Sequence, residues 1–403
     1  MNTPDAKPYA AKFDYLGTGP LPIEAMVSAD YFELEREKIF KRSWLNVGRV
    51  EDIPEPGDYM VQQIDILQTR VIIVRGDDDQ IRAFHNVCRH RGNEVAQGCG
   101  NTKGFSCDFH GWTYDTQGEL AFVPDEAQFF DLDKQQMGLP AIHCQIWCGF
   151  IFINAAEKPA QNLVDYLGEM GTQLKDFPFE TMVPMHRLEA TVDSNWKVCI
   201  DAFHESYHAG FVHRLSVGDM LDPTGDDPYM HLSSVRFHGP HRSASVPMNP
   251  DYIAQGRPAE ALSYKLASSL WLQEGAMEQQ FMPGTNPEQH EHWLFDINVC
   301  FPNFFIDVAN GWFFTYHFWP IAVDKTFWQY RFYMLPPQDA GEAISREYSK
   351  LALRDLLRED LNTVEATQRG LMSGAIKEIY LSDQEVAVRH QYKTVDDIVR
   401  DNT

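Results

Sequence analysis

Long apolar runs are missing from this chain. No stretch approaches the ~18 residues of a spanning helix, so no membrane segment is expected. The opening residues Met1-Asn2-Thr3-Pro4-Asp5 lack the basic-then-apolar pattern of a secretory signal. Cysteine is scarce and odd in number, seven in 403 residues, which does not make a disulfide framework. Positive charge is short as well. Lys and Arg total 34 against 58 Asp and Glu, a net charge of −24, which argues against nucleic acid or an anionic membrane as main partner. No internal repeat or low-complexity tract is visible. What is present is 44% hydrophobic residues in a length that suits two or three domains with cores of their own. A soluble, cytoplasmic chain is the expectation from these features.

Texture changes along the sequence. Residues 1–27, with Pro4, Pro8, Gly17, Gly19, Pro20 and Pro22, read as an irregular arm, and a helix is expected over Asp30–Arg42 with Asp30 and Glu33 as a capping box. Arm and helix, residues 1–39, are expected to pack on the larger domain that follows. Residues 40–155 carry short β-rich runs (Asp58–Ile64, Thr69–Arg75, Ile81–Asn86, Gly149–Asn154) between Gly, Pro and Asp turns. Residues 156–403 mix helix and strand. A helix is expected over Asn162–Lys175, and a β-rich stretch covers about 184–198. Aromatic-rich strands follow at Trp293–Asp307, Trp312–Trp319 and Phe327–Met334, then a long amphipathic helix at Gly341–Ser373. Between Gly218 and Asn286 no elements are legible, and long connections of that kind often cover sites. The fold class is α+β: a small β-rich domain, then a larger α+β domain with a central antiparallel sheet flanked by helices.

Two groups of residues carry chemistry. Cys88-Arg89-His90 and Cys107-Asp108-Phe109-His110 each offer one thiolate and one imidazole from a glycine-flanked loop. Two such loops facing each other suit zinc, or a [2Fe–2S] cluster with two Cys on one iron and two His on the other. Zinc sites usually pair Cys with Cys and His with His, whereas here each segment is Cys then His, which favours the cluster. His85, Cys99, Cys144 and Cys148 lie nearby outside the pattern and are expected to be a partnered histidine and core cysteines.

The second group follows Asn195-Trp196-Lys197: Glu205, His208 and His213, with His204 between. On a helix Glu205 and His208 share a face. His213 is about 140° further round, so both histidines reach one metal only if the helix bends or ends, which Gly210 permits. Asp360 interrupts the apolar stripe Leu353, Leu357, Val364 of the long helix. A buried acid there needs a metal or a salt bridge, for which Arg354 and Arg358 are the nearby cations. Two histidines and one aspartate make a facial triad for non-haem Fe(II) with positions open to O₂.

The pattern Cys-x-His-x₁₆-Cys-x₂-His, with Arg91-Gly92 after the first pair and Gly111-Trp112-x-Tyr114 after the second, resembles the Rieske domain of ring-hydroxylating oxygenases. Asn-Trp-Lys, a bridging acid, His-x₄-His and an acid on a late helix resemble the catalytic alpha subunit of the same family. The resemblance implies that Cys88, His90, Cys107 and His110 hold a [2Fe–2S] cluster. It implies that His208, His213 and Asp360 bind iron, and that Glu205 is the bridging acid. Most members carry Asp where Glu205 stands, and an acid-Asn pair where this chain has Asp201-Ala202.

The resemblance also implies a terminal oxygenase component that takes O₂ and electrons one at a time. NAD(P)H would supply them through a flavin/[2Fe–2S] reductase or a ferredoxin. A homotrimer would bring the cluster of one subunit beside the iron of its neighbour, with Glu205 hydrogen-bonded to a histidine of each centre. Arg82, Arg89, Arg91 and Lys103 are expected to form a basic dock for an acidic redox partner. The small organic substrate is expected to be an aromatic or aryl-acid compound, with Phe203 and Ala209 lining its pocket. A quaternary-amine (betaine- or carnitine-like) monooxygenase or N-demethylase is the alternative. A Rieske electron carrier or an inactive ligand sensor is the alternative of another class.

Overall fold

The computed structural model describes residues 9–221, 231–249, 251–254, 256–266 and 281–401. The chain divides into two compact units, Phe40–Tyr166 and a second made of Met1–Ile39 with Leu167–Thr403.

The first unit is built on β-strands. A seven-stranded antiparallel sheet runs in the order β1-β10-β9-β4-β3-β2-β5. Its strands are β1 Leu45–Arg49, β2 Asp58–Ile64, β3 Thr69–Arg75, β4 Ile81–His85, β5 Cys99–Asn101, β9 Ala141–Trp147 and β10 Phe150–Asn154. A three-stranded sheet lies between them in sequence: β6 Gly104–Ser106, β7 Thr113–Asp115 and β8 Leu120–Phe122. The β-branched run Val71-Ile72-Ile73-Val74 is fully buried on both faces, which its unbroken apolar pattern requires. A separate core gathers Ile72, Val74, Phe84, Phe105, Trp112 and Tyr114 around Cys88 and Cys107.

The second unit has its own seven-stranded antiparallel sheet, β11-β17-β16-β15-β14-β13-β12. The strands are β11 Val183–Val192, β12 Ser234–His238, β13 His241–Pro247, β14 Trp293–Cys300, β15 Phe304–Ala309, β16 Trp312–Ala322 and β17 Lys325–Met334. Its helices include α1 Ala29–Glu35, α3 Trp196–Asp201, α4 Ala209–Val212, α5 Pro258–Leu266, α6 Ala340–Met372 and α7 Val386–Val399; α2, Leu163–Leu174, begins in the first unit and ends in the second. The α+β class expected from the sequence is the one observed.

Several local expectations are corrected. The first helix starts one residue earlier than read and is capped by Ser28, whose hydroxyl accepts from the Tyr31 N–H at 3.2 Å; Asp30 lies inside it. It then widens into a π turn over Arg36–Phe40. The β-rich stretch near 184–198 stops at Val192, because the Asn195 side chain caps α3 by accepting from Lys197 N–H at 3.0 Å. The run Trp293–Asp307 is two strands, since Pro302-Asn303 makes a turn that neither strand can absorb. Within the stretch left blank, β12 and β13 form a hairpin about Gly239-Pro240. Other parts of that stretch lie outside the described residues.

The Asn-Trp-Lys segment has a structural task. Trp196 Nε1 donates to Glu35 Oε2 at 2.9 Å and Lys197 Nζ to Glu35 Oε1 at 2.5 Å, with both charged side chains fully buried. A buried pair is weak evidence of net stability, yet removing one partner strands the other charge, so α1 is pinned against α3.

Candidate active site and metal centres

Cys88 and His90 stand in the loop after β4, and Cys107 and His110 in the loop between β6 and β7. The two loops are built alike. In each, the Cys carbonyl accepts from the N–H of the glycine four residues on: Gly92 to Cys88 at 2.9 Å and Gly111 to Cys107 at 2.8 Å. Both glycines have positive φ, +79° and +72°, where a side chain is strained. Asn86 pins the first loop by accepting from Val95 and Ala96 N–H at 2.8 and 3.1 Å.

The four side chains meet. The rings of His90 and His110 lie 4.6 Å apart, and His90 stacks on Trp112 at 5.0 Å. Tyr114 Oη sits 3.4 Å from Cys88 Sγ, and Asn93 Nδ2 donates to Cys107 Sγ at 3.7 Å. Burial pushes the Cys107 thiol up, but backbone N–H groups and the Asn93 amide aimed at its sulfur outweigh this and hold it below the ordinary value. His90 Nδ1 is buried without a partner, so the loops hold a free imidazole nitrogen beside two free, buried thiols. That donor set fits a [2Fe–2S] cluster with mixed ligation.

The expected helix through Glu205 and His208 does not form: α3 ends at Asp201, and residues 202–208 are a turn before the single-turn α4. This break solves the angular problem. His208 caps one end of α4 and His213 the other, so both rings face Asp360 on α6. Nε2 of His208 lies 3.4 Å and Nε2 of His213 2.9 Å from Asp360 Oδ1, and the two nitrogens are 3.2 Å apart. One ligand atom from each residue lies within 4.8 Å of the others. Among the described residues Asp360 has no salt bridge to arginine, and Arg354 pairs with Asp355 instead.

Each imidazole is held from behind by a carboxylate. Glu205 Oε1 accepts from His208 Nδ1, while its other oxygen accepts from the backbone N–H groups of Tyr207 and His208. Glu359 Oε2 accepts from His213 Nδ1 at 2.8 Å and from Ser216 Oγ at 2.7 Å. Such partners turn the opposite nitrogen inward as a donor to metal. Burial disfavours charge on His208, but the hydrogen bonds its ring donates to Asp360 and Glu205 outweigh that and push its pKa up to about 10. The same negative charge that attracts a proton here fits a divalent cation.

The triad opens onto a cavity of about 340 Å³. Phe203 and Ala209 line it, as expected. So do Phe295, Trp312, Phe314 and Tyr316 from the sheet and Arg257, Glu260 and Tyr264 from the α5 segment. Ala202 also lines the cavity, so a methyl group stands there. Asp201 turns the other way, accepting from Tyr392 Oη at 2.8 Å and Gln391 Nε2 at 3.2 Å, and burial raises its pKa to about 8.

A model of the ring hydroxylating alpha subunit catalytic domain matches residues 179–401, more than half the chain, and one of the Rieske [2Fe-2S] domain matches 43–142. The chain belongs to the ring-hydroxylating oxygenase alpha subunits. Its relatives include the carnitine monooxygenase oxygenase subunit of Acinetobacter pittii, 28% identical over 86% of this chain and 83% of that one. Another is the biphenyl 2,3-dioxygenase alpha subunit of Rhodococcus jostii, 30% identical over 70% of this chain and 69% of that one. Among solved structures, a quaternary ammonium Rieske monooxygenase superposes with a TM-score of 0.75 at 21% identity, covering 96% and 97% of the two chains. Naphthalene 1,2-dioxygenase from Rhodococcus sp. gives 0.74 at 23% identity, covering 97% and 96%. These two likenesses are likenesses of fold.

A Rieske oxygenase of this kind carries a [2Fe–2S] cluster and a mononuclear iron, consumes O₂ and draws electrons from a reductase or ferredoxin. Among the described residues no helix is long and apolar enough to cross a membrane.

Some expectations around the site change. Cys99 is exposed rather than in a core, because it lies on the edge strand β5. His85 is partnered, 3.0 Å from Thr69 Oγ1. Arg82 is neutralised by Asp78 at 2.7 Å and so adds little to a basic dock. Arg91 lies over the Phe109 ring at 4.4 Å, beside His110. Sequence reasoning missed the hold of Glu359 on His213. It also missed Asp307, an acid inside the apolar run Phe304-Phe305-Ile306-Asp307-Val308, which is itself the signal.

Proposed function

We propose that His208, His213 and Asp360 bind the mononuclear Fe(II), and that Cys88 with Cys107 and His90 with His110 hold the two irons of the cluster. Glu205 then both orients His208 and provides the route between centres. Its carboxylate accepts from His208 Nδ1 on one side, and its second oxygen, which accepts from the Tyr207 and His208 backbone N–H groups, would take a further hydrogen bond from a cluster histidine of a neighbouring subunit in a homotrimer. The redox partner is a flavin/[2Fe–2S] reductase or a ferredoxin, and the absence of a disulfide among the described residues suits a reducing cytoplasm. We divide the chain into an arm over 1–39, a cluster domain over 40–155 and a catalytic domain over 156–403.

The observation that carries the functional reading is that the triad faces a mostly apolar cavity walled by Phe203, Phe295, Trp312, Phe314 and Tyr316. Aromatic walls pack flat rings by offset and edge contacts and exclude water from the oxidation site. The substrate is accordingly an aromatic compound, hydroxylated next to the triad. The iron supplies O₂ activation when bound; the protein holds two imidazoles and a carboxylate in fixed orientation and shields the reacting bond from solvent.

A second reading, oxygenation of a quaternary amine, is favoured by two observations: Glu stands at 205, and the carnitine monooxygenase subunit of Acinetobacter pittii matches 86% of the chain. The deciding experiment is O₂ uptake with a matched reductase across arenes, aryl carboxylates and quaternary amines, with product analysis. Stoichiometric hydroxylated arene supports the first reading, and N-dealkylated or cleaved amine the second. Uncoupled uptake with every compound sinks both.

A further inference from the structure

Five carboxylates line the cavity, and four of them are answered. Asp360 faces both histidines, and Glu205 accepts from His208. Glu260 accepts from Tyr252 and Tyr264 at 2.8 and 2.6 Å and lies 3.6 Å from Arg257, while Asp355 pairs with Arg354 at 2.7 Å. The fifth is Asp307.

Asp307 sits near the middle of β15, 2% exposed, on the cavity-facing side of the sheet. The strand register sets it opposite Phe314 on β16, with Phe305–Tyr316 and Ala309–Trp312 as the flanking pairs. On its other side the β14 register brings Ile297 alongside. Its neighbours on this face are thus rings and aliphatic groups. Among the described residues its carboxylate accepts one hydrogen bond, from the Asn298 backbone N–H at 3.2 Å, and meets no cation. Burying an acid with so little compensation is costly, and a better-packed Leu or Phe would remove that cost. The cost is confined to one position in the cavity wall, among electron-rich ring faces that themselves attract positive charge.

We propose that Asp307 is a specificity-determining residue of the substrate cavity and receives a positively charged nitrogen on the substrate. The substrate is then a compound whose apolar body fills the aromatic cavity and whose ammonium group lies against Asp307, with Phe314 and Tyr316 beside it. This rests on the reading of the cavity as the substrate site and narrows it: an aromatic substrate would carry an amine, and a quaternary amine would meet the same group. In the empty cavity burial keeps this acid protonated, so the cation binds with release of the carboxyl proton to solvent. An anionic aryl carboxylate gains nothing from it.

The test uses two probes of nearly equal shape, benzyltrimethylammonium and its uncharged isostere neopentylbenzene, binding to the full-length, iron-loaded protein by calorimetry and Trp fluorescence. Wild type should prefer the cation roughly tenfold or more. Asp307→Asn and Asp307→Leu should erase that preference while neopentylbenzene affinity stays within about twofold. Unchanged cluster absorbance and iron content in both variants show that the fold and metal sites persist. A cation preference that survives both substitutions overturns the proposal, as does a wild type that favours the neutral probe or binds neither. In those cases O₂ uptake and iron content of the wild type still report separately on the oxygenase reading: their loss would break that reading, whereas their retention confines the failure to Asp307.

Discussion

The two loops proposed to hold the cluster draw all four side chains from positions 88 to 110, within the first unit, whereas the triad proposed for iron combines a loop at 208–213 with a helix residue at 360. The difference shows in how the ligands are held. Around the cluster the restraint is mostly backbone: two glycine turns, an Asn86 staple and short strands. At the triad it is side chain: Glu205 behind His208 and Glu359 behind His213, both placed by packing of distant elements. A local site can be recognised by spacing and is robust to changes elsewhere. An assembled site depends on every element that brings its parts together, so it is where single substitutions should act at a distance.

The largest expected effect separates the two sites. His208→Ala should abolish substrate oxidation and lower iron from about three to about two per chain, leaving the cluster spectrum intact. Cys107→Ser should do the reverse, losing the cluster and keeping about one iron. Iron analysis with absorption spectroscopy checks both. Parallel loss of both metals in either variant would mean that the two sites are not independent.

Glu205→Gln comes next. Both metals and substrate affinity should remain, but turnover should fall by roughly a hundredfold, since an amide is a poorer acceptor and presents N–H to N–H. Stopped-flow reoxidation of the reduced cluster with O₂ and substrate would show it staying reduced. Wild-type reoxidation would remove Glu205 from the route.

Glu359→Gln sharpens the idea of side-chain restraint. With the His213 ring less firmly held, iron affinity should drop by roughly 10- to 100-fold, measured by chelator competition, with the cluster potential unaffected.

The smallest effect is on stability. Burial holds the Asp307 carboxyl well above the usual carboxylate range, with Asp296, Tyr316 and Tyr330 as its titratable neighbours. The unfolded chain ionises this group near the ordinary value of about 3.9, so unfolding releases a proton above that pH, and stability falls as pH rises. Asp307→Asn removes this penalty and should raise Tm by roughly 2–4 °C at pH 8 and by less near pH 5. Equal shifts at both values would mean that the acid is already ionised in the fold.

Much of the site was legible because it follows from local chain chemistry. Cys-x-His and Cys-x₂-His on glycine-flanked loops can close only a few geometries, and the gap in the stripe of α6 marked Asp360. What was misread was also physical. Helical periodicity through Glu205 and His208 yields to a turn because the Glu205 carboxylate caps the backbone N–H groups of Tyr207 and His208. Asp30 with Glu33 mimics a capping box, but Ser28 occupies the cap, and the difference is one residue of chain entry that no pattern specifies. The hairpin of β12 and β13 stayed hidden because its residues, rich in His, Arg and Ser, take their burial from sheet neighbours rather than from their own hydrophobicity.

By itself, then, the sequence determined which residues are chemically able to bind metal, that the molecule is α+β, and that the four residues proposed for the cluster lie on paired loops, since each of these is set by residue type and short-range geometry. Only the tertiary structure decided that His208 and His213 face the same oxygen of Asp360, that Glu359 steadies one of them, and that Asp307 looks into the cavity instead of a core. Those outcomes depend on which strands pair in which register and on where α6 lies against them, and long-range packing of that kind leaves no periodic trace in the chain.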